Sequence, residues 1–109
     1  MRIANVYRND ILAGKLIEES RQSYIFKYDT NYLADFKNLS ISLTLPRERQ
    51  EYHATSLFPF FFNMLSEGVN KKIQCRQLKI DETDYFGLLM ATAQYDTVGA
   101  VTIRPEDLK

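Results

Sequence analysis

The sequence predicts an α+β domain, a small curved antiparallel sheet packed with about three helices. Three observations predict it. The first 45 residues fall into short apolar or alternating runs of strand length. From Thr55 onward the apolar period becomes that of a helix. A last apolar run, Val98 to Ile103, then reads as a closing strand before Pro105. A chain of 109 residues is expected to form one domain, long enough to bury a core without disulfide or metal staples.

In order along the chain, Ile3 to Tyr7 and Ile11 to Ile17 are predicted strands, joined by a tight turn at Arg8-Asn9-Asp10. Gly14 inside the second run points to a bulge or a close backbone approach. Tyr24, Phe26 and Tyr28 alternate with Ile25 and Lys27, a third strand. Leu39 to Leu45 has the cleanest pattern, with an apolar residue at every odd position and a hydroxyl at every even one, and Pro46 ends it.

Leu57, Phe60, Phe61, Met64 and Leu65 then follow i, i+3, i+4, i+7, i+8, which predicts a helix capped by Thr55 or Ser56, with Pro59 in its first turn and Gly68 as its left-handed C-terminal residue. A second helix is predicted over Asn70 to Leu78, with a weaker stripe through Val69, Ile73 and Leu78. Asp81 is expected to cap a third, from Glu82 to Thr92, whose apolar residues nearly encircle it, so that it is mostly buried.

Composition narrows the function. Lys plus Arg and Asp plus Glu number 14 each, which argues against a dedicated nucleic-acid binder. A single cysteine, Cys75, cannot form an internal disulfide, and a cytosolic home is expected. No stretch approaches 18 apolar residues, so no membrane-spanning helix is expected, and no signal peptide.

No catalytic or cofactor-binding constellation emerges. His53, the one histidine, is read as a surface loop residue. Cys75 lies among Lys71, Lys72, Arg76 and Lys79, which would favour a thiolate, but the expected role is a buried inert thiol. Asp81-Glu82-Thr83-Asp84 lacks the spaced ligands and glycine of a calcium loop, and a helix dipole accounts for its acids. Lys72, Arg76 and Lys79 share a helical face that can contact phosphate or simply be solvated. Phe62 lies off the apolar stripe, which leaves open packing on a neighbouring helix or exposure to a partner. Glycines 14, 68, 87 and 99 are scattered, and the chain has neither a phosphate-cradling loop nor a His-Arg-Asp catalytic loop.

Phe60-Phe61-Phe62-Asn63-Met64-Leu65-Ser66-Glu67-Gly68 resembles the Phe-Phe-Glu-Asn-Leu-Leu-Pro-Glu-Gly run in the N-terminal domain of the HipA-type toxin kinases. Val6-Tyr7 with Ala13-Gly14-Lys15-Leu16, Leu39 to Pro46, Asp84 to Leu89 and Val98 to Val101 are similar to that domain's opening hairpin, Leu-Ser-Leu-Ser-Leu-Pro segment, late helix and final strand. Ser66 stands where the family usually has proline, and Gln94-Tyr95-Asp96 replaces a common Gly-Arg-Asp, departures that bear on partner specificity rather than fold.

Only 41 residues follow Gly68, so the resemblance implies a detached kinase head rather than a kinase. It implies a component of a bacterial toxin–antitoxin module with no catalysis or cofactor of its own. The implied partners are a HipA-like Ser/Thr kinase lacking its own N-terminal domain and a helix-turn-helix DNA-binding protein, with DNA contacted only indirectly. Restraining the kinase, completing it, or contacting operator DNA beside the helix-turn-helix protein are the roles it leaves open. Asn63, Ser66, Glu67 and Gly68, with Phe62, are the expected partner contact, because the polar ones lie off the stripe at a helix end.

Overall fold

A computed structural model describes residues 1–65, 68–92 and 101–105. Five antiparallel strands form one sheet in the order β4-β3-β2-β1-β5. β1 (Arg2–Arg8) and β2 (Ile11–Ser20) are joined by Asn9 and Asp10, both at positive φ (52° and 64°), the tight hairpin turn expected there. Gly14 answers both sequence expectations. The register slips between Val6 and Tyr7, next to it, and a Cβ on Gly14 would lie 2.4 Å from the Lys27 carbonyl oxygen of the neighbouring strand. A second slip falls between Glu18 and Ser20 opposite β3 (Ser23–Tyr28). Such bulges bend and twist a sheet toward its core.

On the inner face stand Ala4, Val6, Leu16, Tyr24, Phe26, Tyr28, Val101 and Ile103, all buried. β5 (Val101–Pro105) closes the sheet beside β1 as expected, and the first residues of the predicted run, 98–100, lie outside the described ones.

The alternating run Leu39 to Leu45 is not a strand. It is a loop holding a single bridge between Ser42 and Leu45. The hydroxyls that resembled a strand's solvent face close a local turn instead: Thr44 N–H donates to Ser42 Oγ (3.2 Å), and the two hydroxyls lie 2.9 Å apart. Ile41 and Leu45 are buried, while Leu39 and Leu43 are exposed. The edge place in the sheet goes to β4 (Glu51–Ala54), too short and polar to announce itself, with Tyr52 and Ala54 turned inward. His53 is therefore an exposed edge-strand residue rather than a loop residue, 2.5 Å from Glu51.

A helix that the sequence did not announce, α1 (Thr30–Ala34), follows β3; Asp29 caps it by accepting from the Asn31 and Tyr32 N–H groups. The predicted Thr55–Gly68 helix is one turn, α2 (Pro59–Phe62), with Phe58 rather than Thr55 or Ser56 at its N-cap and Pro59 at its start. Beyond it the bonds tighten to i→i−3, Met64 to Phe61 and Leu65 to Phe62, both 3.1 Å. The apolar stripe still points inward: Leu57 and Phe61 are buried, with Phe60, Met64 and Leu65 packed against the core.

Gly68 does not terminate this helix; it is the first residue of α3 (Gly68–Leu78), because the chain has already turned out of α2 at Asn63. The left-handed closure sits instead at Lys79 (φ 58°), where Ile80 N–H reaches back to the Cys75 carbonyl at 3.0 Å. Ile73 and Leu78, predicted to form the inner stripe of α3, are half exposed, and buried Cys75 takes that role; the side chain of Val69 lies outside those described. α4 (Tyr85–Thr92) is capped by Asp84 rather than Asp81, because Asp81 spends its carboxylate on its own turn at Thr83. As expected, α4 is largely buried through Phe86, Leu88 and Leu89; Ala93 lies outside the described residues.

Candidate partner-binding surface

Three places bear the functional expectations. The first is the corner after α2. Phe61 drives into the core against Phe26, with ring centroids 5.8 Å apart. Phe62 packs edge-to-face on Tyr85 of α4 at 5.2 Å, the neighbouring-helix reading, and stays 41% exposed. Asn63 is exposed, and its N–H is satisfied by the Pro59 carbonyl, so its side chain is not needed for the turn. Ser66 and Glu67 lie outside the described residues, and Gly68 opens α3.

The second is the basic cluster. Lys72 and Arg76 are exposed on α3. They line a hollow of about 570 Å³ together with Cys75, Ile80, Asp81, Glu82 and Thr83. The two acids on its other wall offset the lysine and arginine, so the hollow is of mixed charge rather than a phosphate-attracting patch. Lys79 leaves the helical course at its positive φ and does not extend the Lys72–Arg76 row by helical geometry. Among the described residues no group of His, Cys, Asp or Glu is arranged to hold a metal, and no helix is long and apolar enough to cross a membrane.

The third is an ionic node that the sequence reading did not find. Arg2 on β1 forks onto Asp84 at the start of α4 (Nη2 to Oδ1 2.7 Å, Nη1 to Oδ2 3.1 Å) and donates from Nε to Glu18 Oε1 at 2.7 Å. Tyr24 donates its hydroxyl to the other Glu18 oxygen at 3.2 Å, and the guanidinium lies 5.1 Å from the centroid of the Phe86 ring. Hydrogen bonding from Arg2, helped by the Gly87 N–H, holds the Asp84 carboxyl below the ordinary carboxylate range against an opposing effect of burial. Burial first, then the Glu18 charge, pushes the Tyr24 hydroxyl up. The signal available in sequence was Glu18 itself, a charge at an inward position of β2, two residues after buried Leu16. The node clamps α4 to the sheet and borders a hollow of about 150 Å³ lined by Glu18, Arg21, Tyr24 and Asp84.

The family model for the HipA N-terminal domain matches residues 4–104. A Haemophilus influenzae protein is 31% identical over 91 residues, spanning 84% of this chain and 81% of its own. The putative kinase Y4mE of Sinorhizobium fredii is 25% identical over 107 residues, which are 98% of this chain but 25% of that kinase. Among solved structures, the N-terminal domain of HipA toxin superposes with a TM-score of 0.74 at 25% identity, covering 100% of this chain and 96% of that one. The likeness is thus to the N-terminal domain and not to a kinase domain, and the α2 corner and the Asp84-capped helix both fall inside the matched span. The chain belongs to the HipA N-terminal domain family.

Proposed function

We propose that this protein is a non-catalytic component of a bacterial toxin–antitoxin module, one that binds a HipA-like Ser/Thr kinase lacking its own N-terminal domain and neutralises it. The carrying observation is the lopsided match to Y4mE, in which nearly the whole chain corresponds to a quarter of a putative kinase. The sequence offers no phosphate-cradling loop with which to hold ATP. Phosphoryl transfer therefore resides in the partner, in the cytoplasm, and a helix-turn-helix protein carries any DNA contact. The contact with the kinase includes the α2 corner, where Phe62 and Asn63 are exposed, and the segment of Ser66, Glu67 and Gly68 that follows it.

A second reading is favoured by the same match: in Y4mE this domain is joined to the rest of the chain, so a detached copy can be a subunit that the kinase needs. Co-expression separates the two. A HipA-type kinase lacking its own N-terminal domain is induced in cells with and without this chain. Neutralisation predicts growth arrest by the kinase alone and relief by the pair; arrest only when both are present supports the required subunit. No effect of the chain on growth or on kinase autophosphorylation contradicts both.

A further inference from the structure

Among the described residues eight large apolar side chains are exposed, and three of them, Phe36 (91%), Leu39 (58%) and Leu43 (99%), fall within eight residues of one loop. An isolated exposed leucine is ordinary; apolar side chains concentrated on one segment mark contact surfaces.

The backbone beneath them is not loose. The Arg47 guanidinium donates to the carbonyls of Leu33 (2.6 Å), Asp35 (3.1 Å) and Asn38, and the Arg47 N–H donates to Ser40 Oγ at 2.8 Å. Tyr32 donates to the Leu39 carbonyl at 2.5 Å. Tyr28 donates to the Leu45 carbonyl and accepts from the Ile41 N–H. These bonds order the loop through its polar atoms and through buried Ile41 and Leu45. The fold makes no use of the three exposed side chains. Arg47 also lies 5.7 Å from the centroid of the Phe36 ring, which orients the ring while leaving it open to solvent. An apolar anchor on an ordered loop loses little freedom on docking.

We propose that Phe36, Leu39 and Leu43 form the apolar anchor by which this domain seats on the body of a HipA-type kinase. The inference rests on the function proposed above and specifies its surface. Two observations select this occupant. In Y4mE the matched domain is joined to a body three times its length, which offers a surface on which a domain face can pack. The loop and the α2 corner also cover the same face of the sheet: Phe61 packs on Phe26, Phe26 packs on Tyr28 at 4.8 Å, and Tyr28 holds Leu45. A second copy of this chain is the competing occupant, and sedimentation distinguishes it.

The test uses this chain and, as probe, a purified HipA-type kinase lacking its own N-terminal domain, in interferometry with circular dichroism as the folding control. Phe36→Asp and Leu43→Asp should each leave the fold intact and weaken binding roughly 30-fold or more, as expected for a buried apolar anchor. Ile11→Asp, an exposed apolar site at the β1–β2 turn, should leave affinity unchanged. Parent-like binding by both loop variants overturns the anchor while leaving the proposed function standing. So does an equal loss with Ile11→Asp, or sedimentation showing a dimer that only the loop variants dissolve. No binding by the parent chain overturns both.

Discussion

Arg2 joins the first strand to the last described helix across 82 sequence positions. Glu18 is nearly buried, so replacing Arg2 by Met leaves its carboxylate in low dielectric without the guanidinium. A loss of about 1–3 kcal/mol is expected in urea unfolding at pH 7. The pH dependence has a definite sign. Asp84 titrates lower folded than unfolded, so its contribution is complete above about pH 4 and fades as pH falls through the folded value. The stability gap between parent and Arg2→Met should therefore narrow between pH 5 and pH 2, and a constant gap would show that Asp84 is not engaged.

Gly87 tests the same node from the other side. Replacing a helical glycine by alanine ordinarily adds up to about 1 kcal/mol. Here the new Cβ would stand 2.4 Å from Asp84 Oδ2 and 3.2 Å from Arg2 Nη1. Gly87→Ala should destabilise, and a raised melting temperature would mean that the ion pair yields freely.

The short α2 carries more of the core than its four residues suggest, because Phe61 meets Phe26, Phe58 and Phe60 at 5.8, 6.3 and 5.2 Å. Phe61→Ala should cost about 3–5 kcal/mol; a melting temperature within a few degrees of the parent would show that the site collapses to fill the gap. The stripe that singles out Phe61 was legible in the sequence although the helix length was not. Periodicity reports which side chains face the core, and Leu57, Phe61, Met64 and Leu65 face it whether the backbone is a long helix or one turn with tighter turns after it. Alternation misled at Leu39 to Leu45 for a related reason: Ile41 and Leu45 are buried as a strand pattern requires, but Ser42 and Thr44 bond to each other and to the local backbone. Of the candidate surface, Phe62 and Asn63 were legible as residues off the stripe. The Arg2 node was not, because contacts between β1 and α4 have no periodicity that a single sequence displays. Nor was Leu43, which the alternation placed with Ile41 and Leu45 on the inner face, nor Phe36 in the loop before it.

At the scale of the molecule, the inner sheet face is filled by the domain's own helices and loop, and among the described residues no group of His, Cys, Asp or Glu is arranged to hold a metal. The isolated chain is accordingly expected to give no heat on titration with Mg-ATP, and micromolar binding would contradict a non-catalytic role. We propose that this HipA N-terminal domain works by binding a kinase body, and calorimetric titration of the purified chain into a HipA-type kinase lacking its own N-terminal domain is the decisive measurement. A saturable one-to-one complex with a negative heat-capacity change, the mark of apolar burial at the contact, is expected. A flat titration against a folded kinase that still binds ATP would refute the proposal.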